Sequence, residues 1–151
     1  MNKIKIVLLP CEIYHREFDA KLLLSCKLAG RGNYGVLIGY DKFFNIATQL
    51  IEEAVILDKS CSTLIWDGRL KRVIKRGGAA LINDEEGFNG LHKDAAATWF
   101  NRVDKTAASN IGKYLCWGDY DYDFYSPIKE LDDKKVVIGN CRHDLLGTRG
   151  K

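Results

Sequence analysis

The residues best suited to chemistry stand together at Asp84-Glu85-Glu86, directly after the apolar run AALIN (79–83) and directly before Gly87. Adjacent acids repel one another, so folding alone gains little from setting them side by side. They form either a solvated turn or a reactive group. A carboxylate held at the end of a buried strand, beside another carboxylate, can take a raised pKa and act as acid, base or nucleophile. Sugar transfer needs such a group, either to attack an oxocarbenium-like centre or to stabilise it.

Further polar clusters also follow apolar runs. Glu12, His15, Arg16 and Glu17 come after IKIVLL (4–9), Trp117-Gly118-Asp119 closes KYLCW (113–117), and Asn140, Arg142 and Asp144 come after KVVIG (135–139). Glycines among them allow close backbone approach to a ligand. Arg16 opens a helical pattern, where the helix dipole prefers an anion. Its role is either to pair Glu12 or an acid of 84–86, or to bind an anionic sugar or phosphate.

These clusters depend on the elements that present them. The run 4–9 reads as a strand buried on both faces. From Arg16, Phe18, Leu22, Cys26 and Ala29 recur at helical spacing until Gly30 and Gly32 stop the helix. YGVLIGY (34–40) predicts a second strand, 43–54 a second helix and AVIL (54–57) a third strand. Ser62 or Thr63 can cap a helix over 64–76, which Gly77-Gly78 ends. AALIN is a fourth strand, the stretch from about 92 to 112 is helical in pieces with Asp104 a cap, and 113–117 and 135–139 are two more strands. Strands alternating with helices predict an α/β domain with a mostly parallel sheet covered on both faces. Right-handed crossovers then bring all four clusters to one edge, the carboxyl ends of the strands, where such sheets bind ligands.

A chain of 151 residues is one domain's worth, and 46% hydrophobic with 28% charged residues is an ordinary globular composition. The net charge of +3 is spread along the chain, which argues against nucleic acid as a partner. The five cysteines form no CxxC pair, which points to reduced structural thiols in a cytoplasmic protein, and no apolar run is long enough to span a membrane. Neither a dinucleotide fingerprint nor a P-loop is present, so no cofactor is expected. Asp119, Asp121, Asp123 and Glu130 imitate a calcium loop, but Phe124 stands where its glycine belongs. An exposed, acidic helix start is the better reading, and no metal is expected. His92 and His143 belong to no recognisable triad.

Four ordered stretches, PCEIYHREFDAKLLLS (10–25), INDEEGF (82–88), LCWGDYD (115–121) and VVIGNCRHDLL (136–146), resemble the bacterial surface carbohydrate biosynthesis proteins. That family's opening reads P-x-E-x-x-x-R-E-x-x-x-K-L-L-L, its acidic turn D-E-E-G and its late segment G-N-P-R-x-D-L-L. Cys141 stands here in place of the proline. The resemblance covers almost the whole chain. It implies a Rossmann-like three-layer domain equal to the N-terminal half of a GT-B glycosyltransferase, the second domain being absent from this chain and required for activity.

The acidic turn also resembles the E-D-G-F turn of retaining transferases that move Kdo, an eight-carbon acidic sugar. That likeness implies Glu86 as nucleophile, with Glu85 and Asp84 orienting it. Glu12, His15, Arg16, Glu17, Gly87, Trp117, Gly118, Asn140, Arg142 and Asp144 would line the same cleft. The implied partners are a nucleotide-sugar donor, a carbohydrate acceptor, and a second GT-B-like domain or a homo-oligomer. Two other readings remain open: a sugar-binding or assembly module that kept the fold and lost activity, and a small hydrolase or epimerase acting on an acidic sugar.

Overall fold

In the computed structural model, which describes residues 4–84, 100 and 102–143, β1 (Lys5–Cys11) leads into α1 (Tyr14–Ala29), β2 (Tyr34–Tyr40), α2 (Asp41–Leu50) and β3 (Val55–Asp58). A helical stretch follows in three parts: α3 (Thr63–Ile65), a π-helical turn (Trp66–Leu70) and α4 (Lys71–Lys75). Then come β4 (Ala79–Ile82), α5 (Lys105–Asn110), β5 (Lys113–Cys116), α6 (Asp119–Phe124), a 3₁₀ turn (Lys129–Leu131) and β6 (Lys135–Val137). The six strands form one sheet in the order β2-β1-β3-β4-β5-β6, and every pairing is parallel. This is the α/β, Rossmann-like three-layer architecture that the alternation of elements predicts.

Strand alternation divides the sheet into two unequal faces. Leu8, Ile56, Ala80, Ile82, Tyr114 and Cys116 point to one side and form the main core with Phe44, Trp66, Leu70, Val73, Ala107, Ala108 and Leu131. Val7, Leu9, Val55, Leu57, Leu81 and Leu115 point to the other side, where α1 packs over β1 and β2. Topology explains the split. Only the β1-to-β2 crossover moves toward one edge of the sheet; the later crossovers all move toward the other. Right-handed connections therefore place α1 on one face and the later helices on the opposite one. The sequence predicts cover on both faces, but among the described residues the α1 face is covered only at β1 and β2.

Local chemistry sets the joints. Gly77 has φ +78°, and a Cβ on Gly78 would come within 2.2 Å of the Ala54 carbonyl oxygen, so only glycine lets α4 turn so tightly into β4. Asp104 caps α5 as its sequence position predicts, accepting from the Ala107 N–H at 2.9 Å and from the Thr63 hydroxyl at 2.8 Å.

Candidate functional site

β1 and β3 are neighbours from which the chain leaves in opposite directions, the kind of switch point at whose carboxyl ends parallel sheets bind ligands. At the end of β1, α1 starts at Tyr14 rather than Arg16, with Ile13 as its N-cap and no capping side chain there. Glu17 instead ties down the segment that leads into the helix. Its fully buried carboxylate accepts from the Glu12 N–H at 2.8 Å, from Arg16 at 3.2 Å and from Lys21 Nζ at 3.1 Å. The Lys21 ammonium donates also to the Pro10 carbonyl, so α1 is fastened to the end of β1. Glu12 faces outward and pairs with Lys59. His15 is exposed at the start of α1.

At the end of β3, buried Asp58 receives Arg69 Nε at 2.5 Å and Nη2 at 3.1 Å, and the Lys59 N–H at 2.9 Å. Arg69 comes from the π turn and reaches Asp41 at 3.5 Å as well. Burial acts to lower the Arg69 pKa, but the hydrogen bond and charge of Asp58 raise it. This cluster was missed in the sequence, although its signal was there. VIL followed by Asp58-Lys59-Ser60 repeats the pattern of a buried strand running straight into an acid, as at Asp84.

On the next strand of the sheet, Asn83 and Asp84 leave β4, both buried. Asn83 donates its N–H to the Asp58 carbonyl at 2.8 Å and its side-chain amide to the Leu115 carbonyl at 2.9 Å, which fixes where Asp84 emerges. The Tyr125 hydroxyl meets Asp84 Oδ2 at 3.5 Å, and the hydroxyls of Tyr125 and fully buried Tyr114 hydrogen-bond each other. A carboxylate only accepts, so Tyr125 donates to Asp84 and its oxygen accepts from Tyr114. Burial first, and then nearby charge including that of Asp84, drives both phenol pKa values up.

Cys61 and Cys116 lie in the same layer. Burial above all pushes each thiol up to about 12, so they stay protonated, the inert role their apolar setting predicts.

After β5, Trp117 and Gly118 lead into α6. Asp119, Tyr120 and Asp123 are exposed, as an acidic helix start predicts, but Asp121 is half-buried and its Oδ2 accepts from the Trp117 N–H at 3.0 Å. Burial raises the Asp121 pKa, the Trp117 hydrogen bond opposes the shift, and the Asp84 charge adds to it. After β6, Gly139 turns the chain at φ +83° and the Asn140 side chain accepts from the Arg142 N–H at 2.8 Å. Asn140 is buried, and its Nδ2 has no hydrogen-bond partner among the described residues. The His143 ring meets Trp117 edge-on at 5.1 Å, closing this end of the edge.

The sheet therefore brings Glu12, His15, Arg16 and Glu17 to the β1 end, Asp84 to β4, Trp117 and Gly118 to β5, and Asn140 and Arg142 beyond β6. Glu85, Glu86, Gly87 and Asp144 lie outside the described residues. Strand spacing puts the β1 and β4 ends about 10 Å apart, and the β1 and β6 ends about 19 Å apart. The first group and the Asn140–Arg142 turn thus flank a long edge and do not touch. Arg16 has Glu17 as a described partner, which sequence reasoning did not foresee. The edge offers buried carboxylates, hydroxyls, amides and cations, a set suited to a polyol with a negative charge. Among the described residues no three His, Cys, Asp or Glu side chains gather as a metal site, and no helix is long and apolar enough to cross a membrane.

Known protein families, curated proteins and solved structures contain no match to this chain.

Proposed function

We propose that the carboxyl edge of this sheet is a carbohydrate site, and that the domain is the glycosyltransferase-like half of an enzyme of surface polysaccharide synthesis. The observation that carries this reading is Asp84, buried at the end of β4, held by the Tyr114–Tyr125 hydroxyl chain, on the same edge as half-buried Asp121. It fixes the first acid of the Asp84-Glu85-Glu86 turn, and the order of motifs along the chain resembles the surface carbohydrate family. In the reaction, the Glu86 carboxylate attacks the anomeric carbon of the donor sugar and the nucleotide leaves with the bonding electrons. An acceptor hydroxyl then displaces Glu86 and gives up its proton to a carboxylate. Two inversions give retention. Asp121 binds a proton more readily than an ordinary aspartate and suits that exchange. The nucleotide would be gripped by a second domain.

Calorimetric titration of CMP, UDP and Kdo into wild type, Glu86→Gln and Asp84→Asn tests the reading. The expected result is binding of the acidic sugar, weakened at least tenfold in both variants, and no binding of nucleotide. Nucleotide binding by this chain alone would replace the half-enzyme with a complete transferase. Absence of any binding would sink the carbohydrate reading. The bare part of the α1 face favours a second reading, an assembly module that retains the fold without turnover.

A further inference from the structure

The apolar face on the α1 side carries its own inference, independent of the edge chemistry. Between α1 and β5 runs a groove of about 320 Å³, floored by Val7, Leu9, Val55, Leu57, Leu81 and Leu115 and walled by Leu24 and Leu28. At about 30 Å³ per molecule it would hold some ten waters, against walls that offer them almost no hydrogen bonds. Register continues the apolar surface to Val136, which pairs with Leu115 and is 37% exposed. Strands β3, β4 and β5, uncovered on this face among the described residues, span about 10 Å from first to last, the diameter of one α-helix.

Charge sets the direction of that helix. Helices that cover a parallel sheet run antiparallel to its strands, as α1 does, so a second one would end over the amino ends of the strands. Lys5, at the start of β1, lines the groove there. Lys27, three residues beyond Leu24 on α1, adds a second exposed cation on the groove's side of the helix. On this edge Glu52 is tied to Arg76 at 3.0 Å, and Glu52 and Glu53 border a separate hollow on the other side of Lys5. The carboxyl end of a helix carries partial negative charge, and acidic residues there add to it.

We infer that this groove is the docking site for one amphipathic α-helix of a partner protein, laid antiparallel to the strands with an acidic carboxyl end at Lys5. Its leucine-type stripe replaces water over Leu57, Leu81 and Leu115.

The test uses the whole chain and two fluorescent 18-residue peptides with the same alanine–glutamine body and leucines at i, i+3, i+4 and i+7. One ends in two glutamates and a free carboxylate, the other in two lysines and an amide. Anisotropy titration should show the acidic-ended peptide binding at least tenfold more tightly. Leu115→Glu should weaken both at least tenfold. Lys5→Glu, at an exposed position outside the core, should reverse the preference while leaving the circular dichroism spectrum unchanged. No saturable binding, or equal binding of the two peptides, would overturn the inference. A concentration-dependent dimer in sedimentation that Leu115→Glu dissolves would also overturn it and assign the face to a second copy of the chain.

Discussion

The two ends of the carboxyl edge are built from the same residue types but put them to opposite uses. At β1 and β3, each of Glu12, Glu17 and Asp58 meets a cation, and the pairs Glu17–Lys21 and Asp58–Arg69 are buried. At β4 and β5, Asp84 meets a phenol and Asp121 accepts from a backbone N–H. Pairing fixes charge and geometry, so the first end works as a clamp. At the second end burial raises the pKa of Asp121, so proton exchange with a ligand is expected there.

The largest effect that would break this contrast is at the clamp. Arg69→Ala leaves Asp58 buried without its partner and should cost about 3–5 kcal/mol in urea unfolding. That is a large share of the ~5–15 kcal/mol typical of a domain. Replacing both, as Asp58→Leu with Arg69→Met, should recover most of the loss, because a packed apolar pair avoids the desolvation of two charges. At the other end, Tyr125→Phe removes the donor to Asp84 and the acceptor of Tyr114 together. A loss of about 1–3 kcal/mol is expected, against about 1 kcal/mol for Tyr114→Phe, which removes only the terminal donor.

Titration sharpens the contrast further. The folded pKa of Asp121 lies above its unfolded value, so its favourable contribution is full below the ordinary carboxylate pKa of about 4 and is lost as pH rises through the raised value. Asp121→Asn should therefore flatten the fall in stability across mildly acidic pH, measured by urea unfolding at a series of pH values. The smallest effect belongs to exposed Glu12, where Glu12→Gln, weakening its pair with Lys59, should cost less than about 1 kcal/mol and matter less in high salt.

Much of this fold was legible in the sequence because its signals are local. Alternation and apolar runs located all six strands, YGVLIGY to the residue, and the Gly77-Gly78 stop and the Asp104 cap fell where their backbone chemistry requires. What was hidden depends on side-chain contacts that residue type and periodicity do not announce. The start of α1 was read two residues late because its N-cap, Ile13, is not a Ser, Thr, Asp or Asn, and the buried Glu17 instead accepts from the Glu12 N–H just ahead of it. The span 64–76 read as one helix, but it contains a π turn that carries Arg69 to Asp58. DYDYD read as an exposed helix start, which holds for Asp119, Tyr120 and Asp123 but misses Asp121, whose carboxylate folds back onto the Trp117 N–H. The strand order, and with it the face left half-covered among the described residues, follows from crossover directions that periodicity does not encode.

Asn83 has a mechanical consequence. Its main chain holds the end of β3 and its side chain the end of β5, with β4 between them. One amide thus works as a rivet through three strands. Strain applied at the clamp crosses about 10 Å to the proton-exchanging end without passing through any flexible loop. A tug on Asp58 and a tug on Leu115 are, to this sheet, nearly the same event.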